Sequence, residues 1–188
     1  MSSSNEVEIK FRVADVAQLQ QKLGDGGFRQ VTERTHEVNT LYDLPGHPLR
    51  ERGEVLRIRR YGEHWKITHK SKGSTGRHKS RRELETAVDD GETLTAILEA
   101  LGFVTSFRYE KYRAEWSDGV GHVVIDETPI GDLAEIEGPP EWIDAVAARL
   151  GVTDRDYITD SYVALFFQWK QRTGSSANEM TFAAVGIG

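Results

Sequence analysis

The stretch NEVEIKFRVAD, Asn5–Asp15, decides the fold. Extended, it places Glu6, Glu8, Lys10 and Arg12 on one face and Val7, Ile9, Phe11 and Val13 on the other, because successive strand side chains point to opposite sides. If the apolar face is the core and the charges are wet, this is an ordinary amphipathic strand. If helices cover the apolar face, the charges line an enclosed space and the strand belongs to an ionic site.

The same alternation recurs along the chain. In EVLRIRRY, Arg57 and Arg59 share a face and Leu56 and Ile58 take the other; in HWKITHK, Lys66, Thr68 and Lys70 oppose Trp65 and Ile67. Arg81, Glu83 and Glu85 oppose Leu84, Lys111 pairs with Arg113, and Glu135 with Glu137 flank Ile136. Helical patterns lie between these segments: DVAQLQQKL after Asp15, GETLTAILEALG after Asp90, PPEWIDAVAARLG with proline at its entry, and DSYVALFFQWKQR. A barrel with every charged face in water would leave these helices no surface to pack on. Reversing every strand gives the helices an apolar outer wall and turns the charges inward.

The remaining segments fit that scheme. Phe28 to Asp43 reads as a long extended run, and hairpin turns are expected at Gly62-Glu63 and Ser117-Asp118-Gly119. LPGHPLRERG reads as a loop and KSKGSTGRHK as a flexible connection. The sum is an α+β fold, a closed antiparallel barrel of roughly eight strands with helices packed outside. Residues 1–172 are expected to form a single domain, and 173–188 a disordered C-terminal tail.

Composition narrows the chemistry. The chain has 188 residues, a formal charge of −6 and no cysteine, which excludes disulfides, a thiolate nucleophile and cysteine-ligated metal centres. The start lacks the basic and apolar regions of a secretory leader, and no window approaches a membrane span, so a soluble, cytoplasmic protein is expected. In the base-rich run from His64 to Arg82 the bases alternate along strands and the connecting loop lacks interleaved aromatic residues, so no nucleic-acid partner is expected. The six histidines are scattered without metal-ligand spacing.

Buried ions must pair or meet a ligand, since each unpaired one costs several kcal/mol. The acids of the first strand, Glu6 and Glu8, with Asp126, Glu135 and Glu137, are oxygen donors suited to a hard cation such as Mg²⁺ or Mn²⁺. Arg57, Arg59, Lys66, Lys70, Lys111 and Arg113 supply guanidinium and ammonium groups suited to phosphate. Acids gathered on one side and bases on the other would form a site for a metal-bound polyphosphate.

Glu6-Val7-Glu8-Ile9-Lys10 resembles the ExExK signature of the CYTH superfamily, the triphosphate tunnel metalloenzymes. LRIR (56–59), THK (68–70), RRELE (81–85), KYR (111–113) and IDETPIGDLAEIEG (125–138) follow in that family's order. The resemblance implies an eight-stranded tunnel that binds a triphosphate-containing small molecule with a divalent metal. It implies a metal side of Glu6, Glu8, Asp126, Glu135 and Glu137. The phosphate side would be Lys10, Arg57, Arg59, Lys70, Arg81, Lys111 and Arg113, with Glu83 as companion; Lys66 joins it by strand face alone. Glu6, Glu8 and Lys10 would act in catalysis. Hydrolytic relatives direct water at the terminal phosphorus, whereas cyclase relatives direct the ribose hydroxyl at the α-phosphorus. The expected activity is a metal-dependent triphosphatase, with class IV adenylyl cyclase as the alternative and a non-catalytic polyphosphate-binding module as the third reading. No membrane partner is expected, and the chain is expected to act as a monomer or homodimer. The sequence departs from some relatives in carrying Asp160, Ser161 and Tyr162 where they place a functional lysine, and Leu44 stands where threonine is usual in NTLYDLP.

Overall fold

In a computed structural model, which describes residues 2–186, the strands close on themselves. The strands are β1 (Ser2–Arg12), β2 (Arg29–Asp43), β3 (Val55–Tyr61), β4 (His64–Lys70), β5 (Ser74–Thr75), β6 (Lys79–Val88), β7 (Val104–Ser117), β8 (His122–Glu127) and β9 (Leu133–Glu137). Their order is β1-β9-β8-β7-β2-β3-β4-β6, and β1 pairs with β6 to close an eight-stranded antiparallel barrel. The two-residue β5 adds only to the rim of β6. Closure leaves no free edge among the eight strands.

The inversion read from the sequence is realised. Ile9, Phe11, Val123, Ile125, Ala134 and Ile136 face outward and pack against α1 (Val16–Asp25) and α4 (Pro140–Leu150) through Leu19, Leu23, Ile143, Val146 and Ala147. On the opposite wall, Ile58, Leu56, Trp65 and Ile67 meet Leu94 and Leu98 of α3 (Gly91–Ala100). Contact there is so close that a Cβ on Gly91 would fall 2.1 Å from the Trp65 ring, so the first turn of α3 requires glycine. Caps fix the helix starts: Asp15 accepts from the Gln18 amide at 2.9 Å, and Asp90 from the Thr93 amide at 2.9 Å. Gly62, at φ 58°, provides the left-handed position that turns β3 into β4.

Three local expectations are corrected. LPGHPLRERG contains a short helix, α2 (Pro48–Glu51), whose amides at Leu49 and Arg50 donate to the Asp43 carboxylate. KSKGSTGRHK is not without structure, since β5 lies within it. The tail expected to be disordered from residue 173 is packed as far as it is described; residues 187 and 188 lie outside the described range. After α5 (Tyr162–Thr173), Met180 and Ala177 are buried in the cluster formed by Phe107, Tyr109 and Phe166. The Met180 amide donates to the Arg108 carbonyl at 3.0 Å, and α6 (Phe182–Val185) follows. The apolar residues spread thinly through ANEMTFAAV carry no period, so their shared contact with β7 was not visible in the sequence.

Candidate functional site: a charged tunnel

A cavity of about 360 Å³ occupies the barrel. Every residue assigned from sequence to the phosphate side lines it: Lys10, Arg57, Arg59, Lys66, Lys70, Arg81, Glu83, Lys111 and Arg113. Of the assigned metal side, Glu6, Glu8, Glu135 and Glu137 line it as well, whereas Asp126 is fully buried beneath Lys111, Arg113 and Tyr162. A second cavity, of about 260 Å³, adjoins it and shares Glu6, Glu83, His122 and Glu137. The start of α5 also lines the first cavity, through Tyr162 and Val163. Ser161 caps that helix, accepting from the Ala164 amide at 3.2 Å, and Tyr162 enters the barrel. Its ring lies 4.4 Å from Lys111 Nζ and 5.0 Å from Lys10 Nζ, its hydroxyl donates to Asp126, and it stacks on Tyr109.

The register creates the electrostatics. β1 against β6 sets Glu6 opposite Arg81 and Glu8 opposite Lys79, and β1 against β9 sets Lys10 opposite Glu135. The same register sets Glu8 opposite Glu137, a like-charge pair that is unfavourable unless a cation is shared. Oxygens of Glu6, Glu8 and Glu137 lie within 4.8 Å of one another. Glu137 has no salt bridge among the described residues; burial first, then Glu135, Glu6 and Glu8, push its carboxyl up to about 8. Glu6 differs because it has counterions. Burial acts upward on it too, but Lys70 and Arg81, at 3.1 and 3.2 Å, outweigh that and hold it at about 2.

Asp126 and Glu135 are committed elsewhere. Asp126 accepts two bonds from Arg113 at 2.7 Å and one from Lys111 at 2.9 Å. Glu135 takes Arg113 at 2.6 Å and Lys10 at 2.7 Å, and these cations hold its carboxyl well below the carboxylate range against the opposing effect of burial. The donor set that fits a divalent cation is therefore Glu6, Glu8 and Glu137: hard oxygens, close together, with one carboxyl lacking a basic partner.

The basic wall is also more mixed than the expected separation of signs. Glu85 takes Lys66 at 2.7 Å and Arg59 at 3.0 Å, and Glu83 takes Lys70 at 2.8 Å. Glu37, with no exposure, sits among Lys111 at 3.5 Å, Arg59 at 3.7 Å and Arg113 at 3.8 Å. Burial would raise Glu37, yet these bases outweigh it and hold the carboxyl below its ordinary range. Interleaving is the physical requirement of packing many ions in a small space, because a run of one sign would repel itself. Arg57 Nε, Arg59 Nε, Asn39 Oδ1 and Glu37 Oε2 are buried without a hydrogen-bond partner.

Sequence reasoning left Glu85, Glu37, Asn39, Lys79 and Tyr162 without an assigned role. Glu37 and Asn39 share an inward face with period two, a signal diluted by the polar residues on both sides of ERTHEVNT. Lys79, whose Nζ donates to Glu8 at 2.9 Å, lay in a segment read as a loop; burial lowers its pKa although Glu8 opposes this. Tyr162 belongs to a helical pattern, and nothing in that pattern says that its first turn enters a barrel.

The CYTH domain family matches residues 4–152. A candidate adenylate cyclase of Methanocaldococcus jannaschii is 27% identical over 171 residues, covering 85% of this chain and 97% of that protein. Among solved structures, a candidate adenylate cyclase from Vibrio parahaemolyticus superposes with a TM-score of 0.79 at 19% identity, covering 88% of this chain and 99% of that one. A candidate adenylyl cyclase from Hippeastrum, described as having a dominant triphosphatase activity, superposes with a TM-score of 0.62 at 20% identity, over 87% of this chain and 95% of that one. Likeness at these last two identities concerns the fold. Among the described residues, no helix is long and apolar enough to cross a membrane.

Proposed function

The chain belongs to the CYTH domain family, and we propose that it is a divalent-metal-dependent triphosphatase acting on a triphosphate held in the tunnel. The observation that carries this reading is a pairing across one cavity. Arg57 and Arg59 line it among many bases, and Glu6, Glu8 and Glu137 converge without a full complement of bases. Such a space is complementary to a polyanion that brings a cation with it.

Glu6, Glu8 and Glu137 would hold Mg²⁺ or Mn²⁺. When bound there, the cation supplies Lewis-acid polarisation of phosphate oxygens. Arg57 and Arg59 present guanidiniums to the phosphate chain; Glu85 and Glu37 hold Arg59 in place, and Arg57 donates to Tyr109 and Thr68. Lys70, Arg81, Lys111 and Arg113 add positive charge along the cavity, countering charge that builds on the leaving phosphate oxygens. Lys10, fixed by Glu135, places an ammonium between the acids and Tyr162.

Triphosphate hydrolysis is preferred to nucleotide cyclisation because the tyrosines lining the cavity, Tyr109 and Tyr162, are stacked on each other, with Phe107 against Tyr109 and Lys10 and Lys111 over Tyr162. They offer no free ring face for an adenine. The relative at 27% identity favours the second reading, an adenylyl cyclase. Incubation with inorganic triphosphate, thiamine triphosphate or ATP, each with Mg²⁺ or Mn²⁺, distinguishes these readings. Orthophosphate release is the expected result. Cyclic AMP with pyrophosphate as the main products would overturn the proposal, as would tight triphosphate binding with no turnover under any metal.

A further inference from the structure

Lys79 is the first residue of β6 and follows directly on a loop that is fastened to the outside of the barrel. Inside, its ammonium donates to Glu8 at 2.9 Å, and the side chain is only 11% exposed. Outside, His78 Nε2 lies 2.8 Å from Asp144 of α4, and Arg77 reaches Asp144 at 3.4 Å and Asp154 at 2.8 Å. Tyr157 donates to the same Asp144 oxygen at 3.3 Å and packs on the His78 ring. The loop is thus clamped to the surface one residue before it delivers a cation to Glu8.

Glu8 has another basic neighbour, Lys10, at 4.0 Å, but Lys10 is committed to Glu135 at 2.7 Å. Lys79 has no second carboxylate partner within salt-bridge range among the described residues. We infer that Lys79 is an intramolecular competitor for the divalent cation: it neutralises Glu8 when no metal is bound, must leave Glu8 when metal enters, and is held in place by the clamp on Asp144. This rests on the reading of Glu6, Glu8 and Glu137 as the cation site. Lys79 is a positioning residue in this scheme, since it acts through Glu8 and the proposal requires no contact with substrate.

The test is titration of Mn²⁺ into the full chain without substrate, with free Mn²⁺ followed by electron paramagnetic resonance. A unit charge a few ångströms from a divalent ion in a water-accessible cavity alters its affinity by roughly tenfold. K79Q is therefore expected to bind Mn²⁺ about tenfold more tightly than the parent, and K79R to bind as the parent does. D144N, which loosens the clamp from outside, should tighten binding by a smaller factor, about threefold. A purely structural lysine would give the opposite sign, because its loss would disorder the site and weaken binding. Unchanged or weaker Mn²⁺ binding in K79Q, with the parent still binding, overturns the competition and leaves the metal site standing. No Mn²⁺ binding by parent or variant overturns both. Should K79Q fail to give a cooperative melt, D144N decides: tighter binding supports the inference, and parental affinity sinks it.

Discussion

Replacing Glu137 by glutamine should flatten the pH dependence of stability in the metal-free protein. Its folded-state pKa of about 8 lies above the ordinary value of 4.5, so the folded chain holds a proton that the unfolded chain releases. The associated stabilisation is complete below the unfolded value and is lost as pH rises through about 8. At about 1.4 kcal/mol per unit, the displacement sets a ceiling of about 4 kcal/mol between pH 5 and pH 9. Glu137 is partly open to solvent, which halves the expected loss to about 2 kcal/mol. The assay is urea denaturation of chelator-treated parent and E137Q at pH 5, 6, 7, 8 and 9. Titrations away from this carboxylate cluster are shared, so they cancel in the difference between the two proteins. That difference should move by about 2 kcal/mol in favour of E137Q across the range. Added Mg²⁺ at pH 9 should recover the parent and leave E137Q unmoved. A pH-independent difference would show that Glu137 is not held protonated by its acidic neighbours, and the convergence of the three carboxylates would lose its electrostatic meaning.

Three further outcomes follow from the same geometry. E8Q removes an anionic donor at nearly constant volume, so metal-supported turnover should fall by at least about 100-fold in a chain that still melts cooperatively; parental turnover would displace the metal site. R59A removes a guanidinium from the cavity lining and should raise KM for inorganic triphosphate by about 10- to 100-fold, read from initial rates, with a weaker effect on kcat. E37Q leaves Lys111, Arg59 and Arg113 without their shared anion and should cost about 3 kcal/mol at pH 7 by urea unfolding. Its cost should shrink as pH falls, because the stabilisation from a carboxyl held below its ordinary range is present above pH 4.5 and lost in acid.

Much of the barrel was legible because period two is a strong signal when both faces are uniform. In Glu6–Phe11 and Val55–Tyr61 every inward residue is charged or polar and its neighbours are apolar, except at the rims. The closing pair β1 with β6 joins residues about 75 positions apart, and no local pattern encodes that; it followed only from asking where the helices could pack. Glu37 was lost because Thr35, His36, Glu37 and Asn39 present polar side chains on both faces of a strand that is bent by register shifts against β7. Lys79 was lost for a different reason: glycine, serine and threonine upstream of it read as a loop, and the strand begins at Lys79 itself. The expected separation of acids and bases failed because strand order, which sets Glu85 beside Arg59 and Lys66, cannot be read from the signs along one strand.

The interior that results is almost self-neutralised, and this constrains what can enter it. Arg113 is bound by Asp126 and Glu135, Lys70 by Glu6 and Glu83, and Lys79 by Glu8. A ligand must offer each group it contacts at least as much as the partner it displaces, so a weakly charged molecule gains nothing by entering. A triphosphate with its cation supplies both signs together: phosphate oxygens replace Glu83 and Glu85 against the bases, and the cation replaces Lys79 and Lys70 against Glu8 and Glu6. The exchange conserves pairing only when both arrive, so triphosphate and Mn²⁺ should bind with positive coupling. The measurement is triphosphate affinity with and without Mn²⁺, set beside Mn²⁺ affinity with and without triphosphate. Equal factors in the two directions are required by linkage, with an expected size of at least about tenfold. Coupling near unity would mean that phosphate and cation occupy the tunnel independently, and the exchange of partners described here would have no part in selecting the ligand.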